Sequence, residues 1–118
     1  MDINRDDGYY DIKWLDDHYL LIIMGFKAGT IARGGDVYYY HIPSGANGKV
    51  ISRKPFDVQI ESIKMHEGYV EFGLCNLYDN CMRHLWYSEN IPLSEIYNLI
   101  ECNKIVKIGD ELIYSVFE

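Results

Sequence analysis

Residues 37–54 read VYYYHIPSGANGKVISRK, and the succession of strand-forming and turn-forming residues in this stretch predicts the fold. Tyrosine, valine and isoleucine suit the pleated, half-buried surface of a β-strand. The Asn47-Gly48 pair is a strong hairpin signal, because both residues tolerate a positive φ. The stretch therefore predicts a strand over Val37–Ile42, a turn through PSGANG, and a returning strand over Lys49–Lys54.

The same pattern of aromatic and β-branched runs separated by turn residues recurs along the rest of the chain. It predicts further strands over Tyr9–Leu15, His18–Phe26, Asp57–Met65, Tyr69–Leu77 and Cys81–Tyr87, and a closing hairpin about Gly109-Asp110. The nearly continuous apolar run of the second of these strands indicates burial on both faces, so its hairpin is expected to be central.

One segment shows helical rather than strand periodicity. Pro92 suits a first helical position, Glu95 suits the first turn, and Ile96, Leu99 and Ile100 recur at helical spacing. We therefore predict one helix near 92–102. The expected class is a β-rich α+β fold, a mostly antiparallel sandwich or partly open barrel of about seven to nine strands.

Length and composition predict one domain over residues 1–118 and a cytoplasmic location. A chain of 118 residues can bury one adequate core. The N-terminus MDINRDDGYY is acidic and has no apolar leader, and the longest apolar run, YLLIIMGF, is too short to cross a bilayer. Three cysteines are too few for a disulfide scaffold, which favours a reducing compartment. The short apolar run and the acidic charge argue against membrane association.

The formal net charge of −7 is unevenly distributed. Residues 1–17 carry six aspartates and only two basic residues, whereas residues 27–54 carry five basic residues and one aspartate. An acidic surface repels phosphate backbones and attracts basic partners. This charge argues against direct nucleic-acid binding and favours a basic protein partner.

The three consecutive tyrosines cannot act together, because successive side chains of a strand point to opposite faces. We expect Tyr38 and Tyr40 to share a face with Ile42 and to pack inward. Tyr39 and His41 would then face a partner or ligand, although Val37 on their side argues weakly for the opposite arrangement.

No motif specifies a chemistry, so no catalytic residue, cofactor or metal is predicted. Cys81 and His84 have the spacing of two zinc ligands, but a second tight pair is missing, and buried inert thiols beside a turn are expected instead. The glycine-rich segment GTIARGG matches neither phosphate-binding fingerprint and is expected to connect two strands.

The leading hypothesis is a small acidic binding protein that inhibits a partner by occluding a basic site, as immunity proteins and phage antagonists of nucleases or toxins do. Its expected partner-binding residues are Asp6, Asp7, Asp16, Asp17, Tyr39 and His41. One alternative is a barrel-like pocket protein that binds or processes a small anion with Arg33, Arg53 and Lys54. A second alternative is a structural subunit of a homo-oligomer.

Overall fold

The computed structural model describes residues 7–26, 35–53, 58–78 and 83–108, and within them the side chains of 11–25, 35–52, 59–75 and 86–108. Eight strands and one helix lie in this described part of the chain. The strands form two sheets that face each other across a hydrophobic core. The predicted class is confirmed: the fold is a β-rich, sandwich-like arrangement with one helix, and it is not a closed barrel.

The larger sheet has five strands in the order β1-β2-β3-β4-β8. These strands are β1 (Asp7–Trp14), β2 (Tyr19–Phe26), β3 (Asp36–His41), β4 (Asn47–Arg53) and β8 (Val106–Ile108). The first four strands run antiparallel to their neighbours, and β8 adds to β4 in parallel. β2 is an inner strand, as its apolar run predicts, but β1 forms the edge of the sheet.

The smaller sheet is an antiparallel meander of three strands in the order β5-β6-β7. These strands are β5 (Val58–His66), β6 (Tyr69–Tyr78) and β7 (Arg83–Pro92). β5 and β6 are joined at Glu67-Gly68, and Gly68 has the positive φ of 86° that this tight turn requires.

The core lies between the two sheets. Leu21, Ile23 and Val37 of the larger sheet and Ile60 and Phe72 of the smaller sheet are completely buried. Fully burying one such side chain contributes roughly 1.5–3 kcal/mol. The packing of the two inner faces is therefore the main source of stability.

Polar contacts also join the two sheets. The Asp11 carboxylate in β1 accepts a hydrogen bond from the backbone N–H of Ile63 in β5 at 2.8 Å. The backbone N–H of Gly35, immediately before β3, donates to the carbonyl of Ile60 at 3.0 Å. A Cβ atom at Gly35 would clash with the carbonyl oxygen of Met24, so only glycine fits this position.

Helix α1 (Leu93–Cys102) connects β7 of the smaller sheet to β8 of the larger one. It buries Ile96, Leu99 and Ile100, the three residues that predict it. The helix ends at Asn103, which has a left-handed conformation and donates its backbone N–H to the carbonyl of Ile100. Residues 109–118, which include most of the predicted closing hairpin, lie outside the described part.

The turn between β3 and β4 differs from the prediction. Gly45, with φ of 76°, adopts the left-handed conformation, and its N–H donates to the carbonyl of His41 at 2.8 Å. Asn47 and Gly48 are the first residues of β4. The ring of Tyr39 lies over Gly48, where an added Cβ would be 3.2 Å from the ring. The glycine at this position therefore makes room for a cross-strand aromatic ring.

The predicted orientation of β3 was wrong. Tyr39 pairs with Leu21 and packs against the core on the same face as the fully buried Val37. Tyr38 and Tyr40 lie on the opposite, outer face of the larger sheet. The strand is oriented by Val37, whose burial decides which alternate residues point inward.

Candidate protein-binding surface

The turn between β1 and β2 is built around one carboxylate. Asp16 Oδ1 accepts hydrogen bonds from the backbone N–H groups of His18 at 2.7 Å and Tyr19 at 2.9 Å. This arrangement is an Asx-type turn, in which an aspartate side chain replaces a backbone acceptor. Asp16 Oδ2 accepts a third hydrogen bond, at 2.6 Å, from the hydroxyl of Tyr97 in α1. The turn is thereby fixed to the helix.

The pKa values of Asp16 and Tyr97 are both shifted in the direction that preserves their hydrogen bond. The Tyr97 hydroxyl, together with the two backbone N–H groups, lowers the pKa of Asp16 against the opposing effect of burial. Burial first, and the neighbouring Asp16 carboxylate second, raise the pKa of Tyr97 to about 12. Asp16 is therefore an acceptor and Tyr97 a donor at neutral pH.

An aromatic cluster lies behind this turn, on the inner side of the larger sheet. The Tyr19 ring lies 4.6 Å from the His41 ring, 6.1 Å from the Tyr97 ring and 6.3 Å from the Tyr39 ring, measured between centroids. His41 Nδ1 also shares a hydrogen bond of 2.6 Å with Ser44 Oγ. Tyr39 and His41, both expected to contact a partner, thus form part of the packing between strands, turn and helix.

The outer face of the larger sheet presents a different surface near the same turn. Trp14, Leu20 and Tyr40 occupy one row across β1, β2 and β3. Ile12 begins the next row, and Ile42, the first residue after β3, donates its backbone N–H to the carbonyl of His18 and lies two residues beyond Tyr40. We call these five residues the aromatic face. Three of them are well exposed: Trp14 at 59%, Ile42 at 44% and Ile12 at 43%.

An open cleft of about 350 Å³ adjoins the aromatic face and is lined by Trp14, Asp16 and Asp17. The exposed side chain of Asp17 has no ion-pair partner among the described residues. Asp16 is already committed to its three hydrogen bonds. Asp17 is therefore the carboxylate that this cleft offers to an approaching group.

The structure brings together only part of the predicted partner site. Asp16 and Asp17 lie at the cleft, whereas Tyr39 and His41 belong to the inner cluster. Asp6 lies outside the described residues. The backbone of Asp7 begins β1, and its side chain is outside the described set.

The predicted anion-binding residues are described only in part. Arg33 and Lys54 lie outside the described residues, and Arg53 is described as backbone at the end of β4. Lys49 belongs to the same basic segment and has a described side chain. Its Nζ pairs with Asp36 Oδ2 at 3.0 Å.

The prominence of Trp14 was missed from the sequence. The run DIKW alternates polar and apolar residues, which predicts a half-buried strand but does not say which set faces the core. Asp11 and Lys13 pair with the buried Ile23 and Leu21, so the apolar members of the run point outward. The feature of the sequence that could have indicated this site is a tryptophan two residues before an Asp-Asp turn.

The described thiols differ from each other. Cys75 is buried, and burial, followed by the nearby Glu61, raises its pKa to about 11. Cys102 is exposed on α1 and contacts Asn98 Oδ1 at 3.4 Å. Cys81 and the side chain of His84 lie outside the described set, so the predicted absence of zinc there stays a prediction. The described residues contain no cluster of three or more metal-ligating side chains.

Three comparisons relate the chain to known proteins. A family model described as "Domain of unknown function (DUF4652)" matches residues 2–91. The chain matches no curated protein. A crystal structure of a Clostridium novyi NT protein, described as a "putative conserved lipoprotein", is similar with a TM-score of 0.67 and 18% identity. That alignment covers 75% of this chain and 56% of the other, and at 18% identity the similarity is one of fold.

Proposed function

Because the chain belongs to the family Domain of unknown function (DUF4652), whose description names no activity, we propose a function from the surface itself. The chain is a small acidic binding protein that docks on a basic site of a partner protein and occludes it. The observation that carries this proposal is the exposed Trp14 beside the Asp16–Asp17 cleft.

The chemistry of this surface suits protein recognition. Tryptophan and tyrosine supply large contact areas at a small entropic cost, and they are enriched among residues that dominate binding energy. A well-exposed tryptophan flanked by other apolar side chains is unusual on a surface that faces only water. An adjacent carboxylate adds orientation and selects a basic partner.

The net charge of −7 supplies the kinetic part of the mechanism. Complementary charges raise the rate of diffusional encounter, and the aromatic contacts then slow dissociation. The proposed partners are nucleases or toxins with a basic cleft, whose function this protein would block by occupying the cleft.

The two alternatives receive less support from the described residues. In the basic segment, Lys49 is the one cation whose side chain is described, and it is paired with Asp36. Self-association would bring together two chains that each carry a net charge of −7. A binding protein for a basic partner avoids this repulsion.

The cytoplasmic location stays a prediction from the sequence. No helix in the described residues is long and apolar enough to cross a membrane. The structurally similar protein is described as a lipoprotein. Fractionation of the native cell should therefore compare the amount of this protein in the soluble and membrane fractions.

Affinity capture from the native cell, followed by association kinetics at several salt concentrations, tests the proposal. We expect a stoichiometric basic protein whose association rate falls steeply as ionic strength rises. A copurified small ligand without a protein, capture of the chain alone, or an association rate indifferent to salt would each contradict it.

A further inference from the structure

We infer that the partner docks on the aromatic face itself, and that the partner's contact patch consists of aliphatic side chains flanked by lysine or arginine. This inference rests on the proposed function and adds to it the interface and its chemistry. The docking centre is Trp14, with Ile12, Leu20, Tyr40 and Ile42 around it and Asp17 at the rim.

The distribution of exposed apolar side chains locates the interface. The described residues include five large hydrophobic side chains that are well exposed. Three of them, Ile12, Trp14 and Ile42, belong to the aromatic face, and the other two, Trp86 and Ile105, lie elsewhere. The half-buried Leu20 and Tyr40 extend the row from Trp14 across β2 and β3.

The outer face of the smaller sheet offers a natural contrast. Trp86 is 64% exposed there, slightly more than Trp14. The next rows across that sheet are polar: Ser62 pairs through Gly73 with Ser88, and Lys64 pairs through Glu71 with Asn90. Trp86 pairs directly with the buried Cys75 and has polar rows beside it, whereas Trp14 pairs with Leu20 and, through it, with Tyr40.

Charge complementarity selects the occupant. The aromatic face is bordered by the Asp16–Asp17 turn, and the basic Lys49 near its far side is already paired with Asp36. A second copy of this chain would bring the same carboxylates and the same net charge to the interface. A partner with a basic rim around an apolar centre complements both features.

The surface is also held in place before binding. The hydrogen bonds of Asp16 to Tyr97, His18 and Tyr19 fix the turn beside Trp14. A preformed site loses less conformational entropy on association than a flexible one does. The turn at the edge of the aromatic face is therefore formed before the partner binds.

The two tryptophans allow a direct test, because Trp14 and Trp86 are the only ones in the chain. Trp86→Phe leaves Trp14 as the sole indole fluorophore, and Trp14→Phe leaves Trp86. Each variant is titrated with three peptides of equal length that alternate leucine with arginine, leucine with glutamate, or serine with arginine. Thermal melts establish that both variants are folded.

We expect the leucine-arginine peptide to change the Trp14 emission saturably and to bind at least about tenfold more tightly than either other peptide. The Trp86 emission should not change. An equal response at Trp86, equal binding of the glutamate or serine peptide, or no response at Trp14 would overturn the inference. So would sedimentation showing a dimer that Trp14→Phe dissociates.

These outcomes are separable from those of the capture experiment. If a basic partner is captured but the peptides do not report at Trp14, the proposed function stands and the interface lies elsewhere. If no protein partner is captured, the proposed function itself fails.

Discussion

The hydrogen bond between Tyr97 and Asp16 joins residues 81 positions apart and is the main polar link between α1 and the larger sheet in the described side chains. Its effect on the surface is indirect. The bond holds the turn that places Asp17 beside Trp14, although Tyr97 itself lies on the inner side. A single phenol therefore contributes both to stability and to the shape of the cleft.

Tyr97→Phe should lower the free energy of unfolding by about 1–2 kcal/mol at neutral pH, because it removes a hydrogen bond to a charged acceptor. Tyr69→Phe is the matched control: the Tyr69 ring stacks on His66 in the other sheet, and its hydroxyl makes no hydrogen bond that the described residues show. It should change stability by no more than about 0.5 kcal/mol.

The difference between wild type and Tyr97→Phe should depend on pH. The folded-state pKa of Asp16 is lowered from 3.8, so the stabilisation is complete above that value and disappears as pH falls through the lower, folded-state value. Denaturant melts from pH 7 to pH 2 measure this. A difference that stays constant across that range would show that the Asp16 charge is not involved.

The two described thiols should differ in reactivity, because the thiolate is the reacting form. In native protein at pH 8, iodoacetamide should label Cys102 and leave Cys75 unmodified, since Cys75 is 2% exposed and its pKa is raised to about 11. Peptide mass mapping reads out both sites, and labelling in urea provides the control. Comparable native labelling of both would mean that Cys75 is accessible.

At the level of elements, the positions of the strands follow from the sequence more readily than their orientation. The strand predicted over Val37–Ile42 is observed as Asp36–His41, and the helix near 92–102 is observed as Leu93–Cys102. Both carry local signals, β-branched and aromatic runs in one and helical spacing of Ile96, Leu99 and Ile100 in the other. Local patterns were therefore sufficient to place them.

Orientation depends on contacts that local patterns do not contain. All three tyrosines of β3 suit a strand on either face, so Val37 was only a weak local signal, and the pairing of β3 with the buried residues of β2 is what fixes the orientation. The exposed Trp14 was missed for the same reason, because Asp11 points inward to bond the backbone of Ile63 in the other sheet. The exposure of Trp14 thus depends on long-range contacts, which the local sequence pattern does not contain.

The corrected orientation of β3 reverses the expected ranking of two substitutions. Tyr39→Ala should destabilise the protein by about 3 kcal/mol, near the lower end of the range for a buried aromatic, because Tyr39 packs against the core and over Gly48. Tyr40→Ala, on the outer face, should cost about 1 kcal/mol or less. Thermal melts of the two single variants decide this, and a larger loss for Tyr40→Ala would reverse the assignment.

For the whole molecule, the charge distribution governs the approach of a partner, and the aromatic face governs how long it stays. Exposed charges act over about 8 Å at physiological ionic strength. A carboxylate at the edge of the interface should therefore affect the association rate more than one on a remote surface. This difference separates local steering from a general effect of net charge.

Asp17→Asn and Glu101→Gln each remove one exposed negative charge, the first at the cleft and the second on α1. Asp17→Asn should slow association with the captured partner by about twofold or more at low salt, since complementary charges together raise such rates by roughly 10–10³-fold. Glu101→Gln should have a smaller effect. Equal slowing by both variants in stopped-flow or surface-binding kinetics would assign the effect to net charge alone.

The central claim is that the partner binds to Trp14 specifically. An exposed tryptophan elsewhere on the molecule, such as Trp86, does not replace it. Calorimetric titration of the captured partner with Trp14→Ala and Trp86→Ala tests it most directly, because both side chains are more than half exposed and lie on opposite sheets. We predict that Trp14→Ala weakens binding by at least about 2 kcal/mol and that Trp86→Ala changes it by less than about 0.5 kcal/mol. Equal losses, or a larger loss for Trp86→Ala, would contradict the claim.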